Sequence, residues 1–92
     1  MAQAIIIRVT AENYEQWLEA HNSCQQARLA FGMTDGPFYR DAASPQCALV
    51  HLNVEDLPRA MEWFKSPLFK EAAVRAGNVK REVWIADLKM AA

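Results

Sequence analysis

Only two cysteines, three glycines and four prolines occur among the 92 residues. With so little glycine there is no Gly-rich phosphate loop, and no G-x-S-x-G nucleophile elbow is present. Cys24 and Cys47 form no C-x-x-C pair and have no ligand pattern beside them. They read as buried reduced thiols of a cytoplasmic protein. No apolar run approaches the roughly 20 residues of a membrane span, so no membrane partner is expected. The N-terminus lacks a basic segment followed by an apolar one and a cleavage site, so export is not indicated. Basic residues never cluster beyond the pair Lys80-Arg81, and the net charge is -1. Nucleic acid is therefore not an expected partner, because phosphate binding needs a concentrated basic surface. The two histidines, His21 and His51, show neither H-x-x-x-H nor H-x-x-E-H spacing, and no metal site is expected.

What is present is apolar: 52% of the residues are hydrophobic and 23% charged, the balance of a globular chain. Residues 1–92 are too few for more than one domain. Ala4–Thr10 is continuous and β-branched, which predicts a buried strand. Asn13 suits a helix N-cap, with Gln16 placed for a variant of the capping box. One long amphipathic helix is expected from there to Gly32. At 100° per residue, Trp17, Cys24 and Phe31 centre its apolar stripe, with Tyr14, His21, Gln25 and Arg28 along one edge. Asp35-Gly36-Pro37 reads as a turn, Phe38-Tyr39-Arg40 as the start of a second strand, and residues 41–46 as a hairpin loop. Cys47–Val54 reads as a third strand, interrupted by His51 and Asn53.

Asp56 then caps a short helix whose apolar face is Leu57, Ala60, Met61 and Phe64, leaving Trp63 off that face. Ser66-Pro67 stops it and opens another, with Leu68, Phe69, Ala72, Ala73 and Ala76 apolar and Gly77 closing it. Glu82–Leu88 is the last strand. The order β-α-β-β-α-β predicts an α+β, ferredoxin-like fold: a four-stranded antiparallel sheet with helices on one face. Strands one, three and four nevertheless carry apolar residues on both faces, whereas a one-sided sheet should alternate. The uncovered face would expose more apolar surface than soluble monomers usually do. A homodimer packed sheet against sheet is the expected remedy.

In this order the residues resemble the small antibiotic-biosynthesis-monooxygenase-like members of the dimeric α+β barrel superfamily. The resemblance rests on Arg8, Asn13-Tyr14 with Trp17, His21, Tyr39-Arg40-Asp41-Ala42 and Pro45. It continues through Val54-Glu55-Asp56-Leu57, Arg59-Ala60, Phe64, Ser66-Pro67, Glu71-Ala72, Ala76-Gly77 and Val79. It implies protomers paired into a barrel, each with a cavity between sheet and helices. Relatives of this kind include cofactor-free oxygenases of polycyclic phenols, haem-binding or haem-degrading proteins and polyketide cyclases. Val9 stands where similar short sequences often carry a histidine, so a pairing of His21 with His51 would be a different arrangement.

Against that background, His21 is the first candidate for chemistry, as a proton shuttle or ligand contact one turn from Trp17. The competing reading is a core-edge histidine bonded to backbone or water. His51 lines either the pocket or the dimer seam, or is simply a satisfied strand histidine. Tyr39 offers a phenolic donor, or packs with its hydroxyl in solvent. Arg28 receives a substrate carboxylate or phenolate, or snorkels over the apolar stripe. Tyr14, Trp17, Phe64, Phe69 and Trp84 are expected pocket walls, or ordinary core. Glu55, Asp56 and Glu62 read as cap and solvated face. Three functions fit. The first is a cofactor-independent monooxygenase or cyclase on an aromatic or polyketide-like molecule. The second is a haem-binding protein through a helix histidine. The third is a non-catalytic ligand-binding or structural dimer with a filled interior.

Overall fold

In the computed structural model, which describes residues 3–87, four strands and four helices follow one another as β1 (Gln3–Ala11), α1 (Tyr14–Ser23), α2 (Gln25–Ala30), β2 (Met33–Arg40), β3 (Cys47–Val54), α3 (Leu57–Lys65), α4 (Pro67–Ala76) and β4 (Val79–Asp87). The sheet runs β2-β3-β1-β4 with every neighbouring pair antiparallel, the ferredoxin-like arrangement expected from the sequence. Leu88, the expected end of the last strand, lies outside the described residues.

The caps are where the residue types place them. Asn13 accepts from the Gln16 amide at 3.1 Å, Asp56 from Arg59 at 3.4 Å and Ser66 from Phe69 at 3.3 Å. Each satisfies an amide that the helix itself leaves unpaired. The Gln16 side chain does not complete a capping box. Its Nε2 donates instead to the Arg75 carbonyl at 2.7 Å, tying α1 to the end of α4. Gly77 ends α4 at φ +82°, and a Cβ there would press to 3.1 Å on the Gln16 carboxamide.

Three expectations need correction. The first helix is broken at Cys24 (φ -99°, ψ 8°), with no proline or glycine at the break. The His21 carbonyl there takes the Cys24 amide at 3.2 Å and Arg28 Nη1 at 2.7 Å. A long side chain folding back onto a carbonyl thus supports the break. The second strand starts at Met33, and Asp35-Gly36-Pro37 is no turn but a bulge within it, between Asp35 and Phe38. Trp63 is among the most buried residues, at 2% exposure, while Leu57, Met61 and Phe64 are only half-buried. It stands three residues after Ala60, hence on the same helix face, and packs against the rings of Phe31 and Phe69.

Strand register sorts the sheet into two faces. Ile5, Ile7 and Val9 point to the helices, opposite Leu52 and Val50 on β3 and Ile85, Val83 and Arg81 on β4. Ile6, Leu49, Tyr39 and Trp84 occupy the other face, interleaved with Arg8, His51 and Glu82. Among the described residues no helix crosses that face, and Tyr39 and Trp84 are 60% and 51% exposed. Among the described residues no helix is long and apolar enough to cross a membrane.

Candidate functional site

The helices stand off the sheet and enclose a cavity of ≈ 370 Å³. Ile7, Val9 and Leu52 form its floor, and Trp17, Phe64 and Phe69 are among its helical walls. The filled interior expected of a non-catalytic ligand-binding or structural dimer is therefore not what the fold contains. Val83 lines the cavity and still exposes half its surface, so the chamber opens along β4. Three basic side chains line this apolar space: His21, Arg28 and Arg81.

His21 sits in the last turn of α1 within a group of three near-parallel rings. Its centroid lies 5.1 Å from Trp17 and 6.2 Å from Phe38, which are 6.0 Å apart. No protein group hydrogen-bonds its ring nitrogens among the described residues, so they remain available to a ligand or water. Burial, the largest cause, then the Arg28 charge and the weaker effect of Arg81 hold its pKa at about 4, against a partial opposing pull from Asp35. The imidazole is therefore neutral at physiological pH.

Arg28 is 3% exposed and fully engaged. Its Nε and Nη2 reach the two Asp35 carboxylate oxygens at 3.1 Å each, and Nη1 holds the His21 carbonyl. This two-pronged pair neutralises the guanidinium and fixes the backbone that carries His21. Arg28 is accordingly a positioning residue, with its charge answered by Asp35 rather than offered to a substrate. The bulge at Gly36 brings Asp35 within reach. It also passes so near His51 that a Cβ on Gly36 would lie 2.8 Å from the imidazole Cδ2.

Of the expected site residues, Trp17, His21, Arg28, Phe64 and Phe69 meet at the chamber. The others lie elsewhere in the protomer. Tyr14 is buried beneath the Arg40 guanidinium, 3.8 Å above its ring, and touches Trp17 but not the cavity. Tyr39 and Trp84 are on the outer sheet face. His51 also belongs to that face, with Nε2 3.0 Å from Asn53 Oδ1, and it borders a second space of ≈ 140 Å³ that His21 also borders. Arg81 and Asp35 were not singled out by the sequence. Arg81 shares the parity of Val79, Val83 and Ile85, but with Trp84 apolar as well only the pairing with β1 turns that set inward.

Both cysteines are free and buried, Cys24 on the chamber wall and Cys47 with its sulfur 3.3 Å from the Thr10 hydroxyl. No group of three His, Cys, Asp or Glu converges among the described residues. For haem, the chamber offers a single imidazole, held in the Trp17–Phe38 ring cluster, and ligation through it would disturb those stacks. That is a poor fit.

No family model and no curated protein matches the chain. Solved structures do. A candidate antibiotic biosynthesis monooxygenase from Bordetella bronchiseptica superposes with TM-score 0.79 at 11% identity, covering 97% of this chain and 98% of its own. The chain has the antibiotic-biosynthesis-monooxygenase fold. A second candidate monooxygenase with this fold, from Nitrosomonas europaea, gives TM-score 0.69 at 10% identity, covering 96% and 91% of the two chains. A conserved protein of unknown function from Bacteroides thetaiotaomicron, described as a possible oxidoreductase, gives 0.73 at 9% identity over 91% and 94%. At such identities the likeness is one of fold alone, and each residue's role rests on its own surroundings.

Proposed function

We propose that this protein binds an aromatic or polyketide-like small molecule in the chamber and oxidises or cyclises it without a cofactor. One observation carries the reading: an apolar cavity whose wall holds a neutral imidazole with no hydrogen-bonding protein partner among the described residues. A buried apolar space with few convergent polar groups is the usual form of a ligand site.

The chemistry that fits is removal of a proton from an enol or phenol. With its pKa at about 4, His21 alone is a weak base. Taking a proton from a phenol of ordinary acidity, near pKa 10, would be uphill by roughly 8 kcal/mol. The anion formed would share the chamber with the Arg81 guanidinium, and its charge would raise the basicity of His21 as the proton moves. An activated carbanion could then react with dioxygen, overall turning a CH2 group and O2 into a carbonyl and water. In a cyclase the same anion attacks a carbonyl of its own chain.

Oxygen uptake with 1,8-dihydroxyanthrone tests the oxygenase form. His21→Ala is expected to lower turnover by about 100-fold or more while the protein remains folded. Activity that survives the substitution removes His21 from the chemistry.

We also propose that a second copy covers the outer face of the sheet. Support comes from the exposed Trp84, Tyr39 and Leu49 beside Ile6, with Arg8 and Glu82 available for cross-interface pairing. Two free buried thiols fit a reducing, cytoplasmic setting.

A further inference from the structure

Charge in the chamber is unevenly answered. Arg28 spends its guanidinium on Asp35, and both carboxylate oxygens of Asp35 are taken in return. Arg81 has no such partner. It comes from the inward parity of β4, opposite Val9, and its guanidinium lies 5.7 Å from the centroid of Phe69. No carboxylate forms an ion pair with it among the described residues, where Arg28–Asp35 is the one salt bridge. Its neighbour Glu82 has the opposite parity and faces the other side of the sheet.

Arginine is always charged, so the cation is carried into a largely apolar space at a cost in hydration. Burial is the sole cause acting on its ionisation, and it acts against the charge. An anion arriving from outside would answer that charge. The aromatic walls at the same time require that most of the arriving molecule be apolar.

We propose that Arg81 selects for ligands with a flat apolar body and one anionic group, such as a phenolate, carboxylate or sulfonate. The anion would meet Arg81 near the β4 opening, while the body enters between Trp17 and Phe69. This rests on the chamber being the ligand site, as proposed above, and specifies the class of molecule it takes. It also assigns a division of labour: Arg28 holds the backbone of His21, and Arg81 reads the ligand's charge.

Two fluorescent probes with one skeleton separate the ideas. N-phenyl-1-naphthylamine is neutral, and 8-anilinonaphthalene-1-sulfonate is the same body with an added sulfonate. The wild type is expected to bind the anionic probe at least tenfold more tightly. Arg81→Met should abolish that preference and leave the neutral probe unchanged, and Arg81→Lys should retain much of it. Added salt should weaken only the anionic probe, and only where residue 81 is charged. Equal affinities in the wild type, or a preference that survives Arg81→Met, would overturn the assignment to Arg81 while the chamber stands. Failure of both probes to bind the wild type overturns the chamber reading itself. Loss of both probes in Arg81→Met together with Arg81→Lys would mean that Arg81 shapes the cavity rather than reading charge, which also overturns the proposal.

Discussion

Between pH 6.5 and about 4, the wild-type protein is expected to lose about 2–3 kcal/mol of stability that a His21→Gln variant keeps. The folded-state pKa lies below the unfolded value, so the unfolded chain takes up its proton first as the pH falls. The contribution is complete above pH 6.5, declines through the window and is flat below pH 4. For a domain of this size the difference amounts to roughly 10 °C or more in melting temperature. Carboxylates that titrate nearby act on both proteins, so the gap between the two curves isolates the imidazole. Melting curves from pH 7.5 to 3.5 provide the check. Parallel curves would mean that His21 is freely hydrated and not held against Trp17 and Phe38.

An equally large effect is expected at the outer sheet face. Sedimentation equilibrium should give twice the 10.4 kDa chain mass at micromolar concentration. Trp84→Lys should weaken that dimer by about 1,000-fold. The change removes an exposed tryptophan and adds a charge, and the two-fold axis repeats the loss, at about 2 kcal/mol each. Val74→Lys on α4, where Val74 is 81% exposed on the helical side, should leave assembly unchanged. A wild type that sediments as a single chain would contradict the dimer, and equal effects of both variants would misplace its interface.

The architecture was legible because its signals are local. Apolar runs mark β1 and β3, side-chain caps at Asn13, Asp56 and Ser66 open the helices, and Gly32 and Gly77 close them at positive φ. What was not legible depends on distant partners. The break at Cys24 carries no proline or glycine. It is supported by Arg28, which bonds a carbonyl seven residues back and a carboxylate seven residues on. In β4, Val83, Trp84 and Ile85 are all apolar, so alternation could not choose a face. Only pairing with β1 turns Val83 inward and Trp84 outward. The same pairing brings Arg81 into the chamber. His21 was readable as the edge of a stripe, but its neutral state required the burial and cationic neighbours that only the assembled fold supplies.

The chemistry proposed for this protein requires that ligands enter the space between helices and sheet. Methyl-detected NMR during titration with N-phenyl-1-naphthylamine tests it directly. Saturable shifts are expected at Ile7, Val9, Leu52 and Met61, which line the chamber, with Ile6 and Leu49 on the opposite sheet face unmoved. Shifts confined to Ile6 and Leu49, or no shifts at all, would contradict it.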